Sequence, residues 1–255
     1  MAPPADALNE AERQALGERL RGVRAALEAA CTDASLAKPP LLLAVSKGHP
    51  ARAIRAAYEQ GQRHFGENYV QELVEKAEAL ADLDGLVWHL IGHLQRNKAK
   101  HVVEHAQAVH SVDSPLLLAE LDRRMTGREI PMARRAFGSD PRLPIFLEVS
   151  IAGEEQKGGC DPAELGALID AADSASALRL VGLMCVPPLD AEPARSREYF
   201  DKLRALRDEH GGAPRLPELS MGMTHDYEHA IRAGSTVVRI GTAIFGPRPP
   251  RERPA

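Results

Sequence analysis

The chain has 255 residues, 44% of them hydrophobic and only 4% aromatic, with a formal net charge of −4. That length fits one α/β barrel or two small domains and can bury a substantial core. The mildly acidic balance gives no electrostatic footprint for nucleic acid, and few aromatic rings are present for bases to stack on.

Asn9 and Glu12 have the spacing of a capping box, and Leu16, Leu20, Val23 and Leu27 recur behind them at helical spacing. An amphipathic helix therefore precedes the first strand. Leu41-Leu42-Leu43-Ala44-Val45-Ser46-Lys47 is an apolar run of strand length ending in a lysine, with Gly48, His49 and Pro50 stopping it. A helix over 50–60 follows, then an extended piece at 64–68, a helix over 70–80 and a strand at 87–91. Residues 96–105 read as helix, 108–112 as strand and 116–124 as helix.

The stretch 126–142, punctuated by Gly127, Pro131, Gly138 and Pro141 and centred on Arg134-Arg135, reads as an irregular solvated loop. A lid or a partner contact is the alternative. Beyond it come a strand at 145–149, a helix at 162–175, a strand at 178–184 and a helix at 193–210. A short strand at 218–220, a helix at 224–233 and a strand at 236–240 complete the pattern.

Strict alternation of about eight β-then-α units predicts a single α/β domain, a (β/α)₈ TIM barrel with an extra N-terminal helix. A doubly wound open sheet is the competing architecture. The barrel domain is expected over 1–246 and a disordered Pro/Arg tail over 247–255. No apolar run approaches a membrane span, and no basic segment leads into an apolar one behind Met-Ala-Pro-Pro. Cys31, Cys160 and Cys185 are few, odd in number and far apart, as suits buried thiols in a reducing compartment. The expectation is a cytoplasmic protein without membrane or nucleic-acid partners.

Lys47, Asn68, His89, Ser220 and Arg239 fall at or near predicted carboxyl ends of strands, where barrels and open sheets bind ligands. Lys47 has two readings: a strand-end lysine whose stem snorkels, or a partly desolvated amine that attacks a carbonyl. In Val237-Val238-Arg239-Ile240-Gly241, alternation sends Arg239 to the face opposite Val238 and Ile240. A guanidinium there needs an ion pair, with Glu67 or Glu148, or a bound ligand. Glycine-containing turns at 220–224 and 241–243 follow the last two strands, a frequent phosphate site, with Ser220 and Thr242 as hydroxyl donors. No GxGxxG or Walker motif is present.

His101-Val102-Val103-Glu104-His105 matches the H-x-x-E-H pattern of some zinc peptidases. Lys98 and Lys100 beside it disfavour a cation, and no third ligand stands out, so no metal site is expected. His89 and His93 are also four apart, but across a strand end that gives them no common face.

Several motifs occur together and in order: Ala44-Val45-Ser46-Lys47, Phe65-Gly66-Glu67-Asn68-Tyr69-Val70-Gln71-Glu72 and Trp88-His89-Leu90-Ile91-Gly92-His93-Leu94-Gln95-Arg96-Asn97-Lys98. Gly182-Leu183-Met184, Leu219-Ser220-Met221-Gly222-Met223 and the stretch from Ser235 to Gly246 continue the series. The chain from about Leu16 to Gly246 thereby resembles the pyridoxal phosphate homeostasis proteins. The resemblance implies a barrel of the alanine racemase N-terminal domain type, with pyridoxal 5′-phosphate held as a Schiff base on Lys47. It places Asn68 beside the cofactor ring, Ser220, Gly222, Gly241 and Thr242 at the phosphate, and Arg239 at the pyridine nitrogen.

An arginine at that nitrogen stays protonated and discourages pyridinium formation, which weakens the ring as an electron sink. Racemases of this fold type add a β-domain and a tyrosine base from a partner subunit. The chain has no room for that domain, and Tyr58, Tyr69, Tyr199 and Tyr227 fall in predicted helices or at their ends. The expectation is a monomeric carrier that buffers pyridoxal phosphate or delivers it to apo-enzymes without efficient catalysis. A racemase-like enzyme is the alternative, and a zinc hydrolase using His101 and His105 a distant third. Two departures from the family stand out: Ser150 replaces a usual asparagine, and Glu155-Gln156-Lys157-Gly158-Gly159 lacks a usual serine.

Overall fold

Strands covered on both faces read as largely apolar runs, and here they close into a ring. The computed structural model describes residues 8–248 apart from 35, 37, 154–157 and 189–192. The strands are β1 (Leu41–Val45), β2 (His64–Glu67), β3 (Val87–Leu90), β4 (Ala108–Val112), β5 (Leu143–Glu148), β6 (Leu178–Met184), β7 (Glu218–Met223) and β8 (Val237–Ile240). They pair in parallel in sequence order, and β8 returns to β1 with Leu43 opposite Arg239. That closure excludes the open sheet.

The helices are α1 (Glu10–Asp33), α2 (Ala51–Glu59), α3 (Val70–Ala79), α4 (Ala99–His105), α5 (Pro115–Met125), α6 (Leu165–Asp173), α7 (Pro193–Glu209), α8 (Gly212–Arg215), α9 (Tyr227–Arg232) and α10 (Thr242–Phe245). The capping box at the start of α1 is formed. Asn9 Oδ1 accepts from the Glu12 N–H at 2.9 Å, and Glu12 Oε2 accepts from the Asn9 N–H at 2.8 Å. Leu16, Leu20 and Leu27 bury one face of α1, which packs against α2, α9 and α10. The four-residue helices α8 and α10 are too short to leave a periodic signal and are absent from the sequence reading.

Two apolar layers share the strands by alternation. Ala44, Phe65, Trp88, Leu147, Leu183, Val238 and Ile240 pack outward against the helices. Leu43, Phe146, Met184 and Val237 fill the interior. Arg239 has the parity of Val237 and faces inward, as the sequence pattern requires.

Three sequence expectations are corrected by the fold. The stretch around Gly222 is not a turn after a short strand: β7 runs on to Met223 and bulges, with the register slipping between Ser220 and Met223. Gly222 sits there at φ 96°, where a Cβ would lie 2.6 Å from that of Ala230. His89 is not at the strand mouth either, being an interior residue of β3.

The stretch 126–142 is irregular apart from one 3₁₀ turn at Met132–Arg134, but it joins α5 to β5 and so lies under the amino ends of the strands. A lid over the loops that follow the strands has no place in that topology. Instead Phe137 plugs the barrel floor, its ring centroid 5.9 Å from His89 and 5.3 Å from Phe146. The Arg179 guanidinium holds the Phe137 carbonyl, and Arg135 Nε donates to the Ile130 carbonyl at 2.9 Å.

Candidate active site at the carboxyl face of the barrel

Lys47 stands just beyond β1 in a tight turn. The Ser46 N–H donates to the Gly66 carbonyl and the His49 N–H to the Ser46 carbonyl, both at 3.0 Å. Gly48 supplies the positive φ (74°) and its N–H donates to Glu72 Oε2 at 2.7 Å. Among the described residues no hydrogen bond or ion pair holds the Lys47 amine. Its pKa is lowered, first by burial and then by the Arg248 and Arg239 charges, against a weaker pull from Glu67 and Glu72. Proton loss at this amine is therefore easier than at an ordinary lysine.

The two carboxylates nearest that turn are taken by another cation. Lys76, on α3, donates to Glu67 Oε1 at 2.7 Å, to the Ser46 carbonyl at 2.8 Å and to Glu72 Oε2 at 2.9 Å. The Ser46 hydroxyl adds a bond to Glu67 Oε1 at 2.7 Å. Glu67 is fully buried, and its other oxygen, Oε2, has no partner.

Arg239 does not form the ion pair that the sequence suggested with Glu67 or Glu148. Its Nη1 donates to the Ser220 carbonyl at 2.6 Å and to Ser220 Oγ at 2.8 Å, and Nη2 to the Cys185 carbonyl at 2.8 Å. Burial lowers its pKa while Cys185, Glu148 and Asp226 raise it. A guanidinium so far from titration remains a cation. Glu148, at the end of β5, is pushed up to about 7 by burial and by the Asp113 carboxylate, with Arg239 opposing.

Asn68 follows β2, and its Oδ1 is buried without a partner. Gly92 lets the neighbouring loop close on it, since a Cβ there would sit 2.2 Å from the Asn68 carbonyl oxygen. Gly241, after β8, brings the chain against β1: a Cβ would lie 3.0 Å from the Val45 carbonyl oxygen. Thr242 then starts α10, whose first N–H groups have no intrahelical acceptor.

The fold thus brings Lys47, Asn68, Gly222, Arg239, Gly241 and Thr242 to one end of one barrel, from β1, β2, β7 and β8. Ser220 lies deeper. Its side chain is fully buried and its hydroxyl is engaged by Arg239 and by His110 Nδ1 at 2.9 Å. Thr224, the first residue beyond β7, brings a hydroxyl residue to the rim that the sequence reading passed over.

Lys76 was missed as well, although Glu72 and Lys76 have the i, i+4 spacing of a helical ion pair. Arg248 falls in the expected disordered tail, and no pattern singles it out. Its Cδ lies 3.3 Å from where a Gly48 Cβ would be, and its charge acts on Lys47. Residues 249–255, the rest of that expected tail, lie outside the described residues, as do Glu155, Gln156 and Lys157.

The two histidines of the H-x-x-E-H stretch do not converge on a point. His105 Nδ1 lies 2.8 Å from the His101 carbonyl, and no group of three or more metal-binding side chains occurs among the described residues. Tyr58, Tyr199 and Tyr227 are helical, whereas Tyr69 caps α3 on the rim beside Asn68 with half of its surface exposed. No described helix is long and apolar enough to cross a membrane.

Residues 25–249 match the model of the alanine racemase N-terminal domain. A pyridoxal phosphate homeostasis protein from Aquifex aeolicus is 41% identical over 234 residues, covering 91% of this chain and 97% of that one. Its counterpart from Pseudomonas aeruginosa is 46% identical over 208 residues, covering 81% and 84%. The solved structure of PipY from Synechococcus elongatus with pyridoxal phosphate bound superposes with a TM-score of 0.75 at 38% identity, covering 91% of this chain and all of that one.

Proposed function

The chain belongs to the pyridoxal phosphate homeostasis proteins, built on the alanine racemase N-terminal domain, and from that premise we propose that it binds pyridoxal 5′-phosphate and serves intracellular vitamin B6 homeostasis. Lys47 carries the cofactor as a Schiff base, and the protein buffers it or delivers it to apo-enzymes. The observation that carries this reading is the Lys47 amine, held by no hydrogen bond or ion pair among the described residues and eased toward its free base at the carboxyl face of the barrel.

The residues present fit the group. Pyridoxal phosphate supplies an aldehyde and a phosphate dianion. The Lys47 amine is the nucleophile that would hold the aldehyde, with one water released on condensation. Arg248 and Arg239 add positive charge near the Lys47 amine, the same charge that lowers its pKa and that favours an anionic ligand. Gly222, Gly241 and Thr242 offer backbone N–H groups, and at the two glycines a Cβ would crowd its neighbours. Asn68 Oδ1, buried without a partner, is open to a donor beside the ring.

Arg239 presents a permanent cation to the ring nitrogen, and Ser220 contributes from beneath by holding Arg239. A nitrogen that accepts from arginine stays unprotonated, which favours holding the cofactor over stabilising carbanions.

The test is the visible absorbance of the protein with pyridoxal phosphate, beside Lys47→Ala. A borohydride-reducible band in the wild type that the variant lacks is the expected result. Identical spectra, or no uptake by either, would overturn the Schiff base. Carrier and racemase separate by α-proton exchange of an L-amino acid in deuterium oxide, which a carrier performs barely or not at all.

A further inference from the structure

Three histidines that the proposed site does not use form an unbroken hydrogen-bonded series through the barrel interior. His64 Nδ1 lies 3.0 Å from His89 Nε2, and His89 Nδ1 lies 3.0 Å from His110 Nε2. His110 Nδ1 then lies 2.9 Å from Ser220 Oγ, which Arg239 Nη1 holds at 2.8 Å. The series begins at the amino end of β2 and ends on the guanidinium of the site. His89 and His110 are fully buried, and burial keeps all three rings neutral. The rings lie in series rather than around a point, so they make no metal site.

Hydrogen-bond counting gives this series a direction. Arginine only donates, so Ser220 Oγ is an acceptor toward Arg239. The Ser220 hydroxyl proton has a single acceptor among the described residues, His110 Nδ1. His110 must then carry its proton on Nε2 and donate to His89 Nδ1. By the same step His89 donates from Nε2 to His64 Nδ1. One tautomer is thus imposed on each ring by the arginine at the far end. Reciprocally, the rings fix the Ser220 hydroxyl so that its lone pair faces Nη1.

We propose that His110, supported by His89 and His64, is a positioning residue that holds the Arg239 guanidinium in one orientation through the Ser220 hydroxyl. The array keeps the fork of Arg239 aimed while its other bonds go to the carbonyls of Ser220 and Cys185. The consequence for pyridoxal phosphate rests on the role of Arg239 proposed above, but the positioning itself does not.

The test uses two variants with opposite consequences for packing and for bonding. His110 stacks on Phe146 with centroids 4.1 Å apart. His110→Phe keeps an aromatic ring there but offers Ser220 no acceptor. His110→Asn loses the ring but places Oδ1 where Nδ1 was. Nitrogen-15 spectra of the cofactor-free wild type should show His110, His89 and His64 as neutral Nε2–H tautomers, and the Arg239 Nη protons as resolved, slowly exchanging signals. Those arginine signals should shift and exchange faster in His110→Phe and return toward wild type in His110→Asn.

With pyridoxal phosphate added, the bound band should move in His110→Phe alone. Arginine signals unchanged in His110→Phe, or lost only in His110→Asn, would reduce His110 to packing and overturn the proposal. An Nδ1–H tautomer at His110 would overturn it too. If the wild type takes up no cofactor, the function proposed above fails, while the cofactor-free spectra still decide this inference.

Discussion

Lys76 Nζ lies 2.7 Å from Glu67 Oε1 inside the protein, while Lys47, on the same turn, has no ion-pair partner among the described residues. Both lysines border the same turn, since Lys76 also binds the carbonyl of Ser46. Had Glu67 faced Lys47 instead, the carboxylate would have stabilised the ammonium and raised its pKa. Burial and two arginines outweigh the pull of Glu67 and Glu72 on Lys47, both carboxylates being engaged by Lys76.

Lys76→Met should expose that division of labour. It strands a buried carboxylate, and removing one partner of such a pair costs about 3–5 kcal/mol. The Glu67→Gln/Lys76→Met double variant should recover much of this loss, because the fully buried carboxylate is then gone with its partner, and Glu72 is partly exposed to solvent. Urea unfolding of the wild type, Lys76→Met, Glu67→Gln and the double variant measures both numbers. In Lys76→Met the pH at which Lys47 takes up pyridoxal phosphate should rise; an unchanged pH dependence would contradict the argument.

Gly92→Ala tests the wall beside Asn68. The added Cβ would meet the Asn68 carbonyl oxygen at 2.2 Å and its Cα at 2.7 Å, both backbone atoms that cannot rotate away. A loss of about 3 kcal/mol or more is expected, with weaker cofactor binding as Asn68 is displaced. Gly22→Ala is the contrasting case. Nothing lies within 4 Å of its Cβ on the exposed side of α1, so a gain of about 0.5–1 kcal/mol is expected. Thermal unfolding of both variants would show the opposite signs.

Much of this arrangement is legible in the sequence because it depends on local pattern. The run ending at Lys47 and the alternation around Arg239 state the strand and its inward cation without any knowledge of neighbours. The partner of Glu67 is not legible in that way, since a carboxylate at a strand end has several basic residues within reach and only packing selects one. Phe137 lies in an irregular loop with no period to say which side chain turns inward. His64, His89 and His110 are 25 and 21 residues apart, one on each of three strands, and only barrel register brings them together. Arg248 follows the last helix, where no repeating pattern remains to place it.

Glu148→Gln should remove a pH dependence that the wild type carries. The Glu148 carboxyl has a pKa of about 7 when folded against 4.5 ordinarily, so between those values the folded state holds the extra proton. Stability therefore falls as pH rises from about 4.5 to about 7 and is flat above, by at most about 3 kcal/mol from this group. The variant should gain on the wild type across that window and keep the gain at pH 8. Denaturant midpoints at pH 5 and pH 8 suffice, and equal differences at the two would refute the shift.

His64→Asn reads the opposite slope at the far end of the histidine series. Burial takes the His64 pKa down to about 4 from 6.5, so between those values the unfolded chain holds the extra proton. Stability conferred by keeping this ring neutral is present above about pH 6.5 and is lost as the pH falls to about 4. The loss amounts to about 3 kcal/mol in all, close to 1.4 kcal/mol per pH unit. The substituted amide would still accept from His89 Nε2 through its Oδ1 but cannot titrate. The variant should therefore run parallel to the wild type above pH 7 and gain on it steadily below pH 6. Unfolding free energies from pH 4 to pH 8 give the difference directly, and curves that stay parallel throughout would mean that the buried imidazole does not resist protonation.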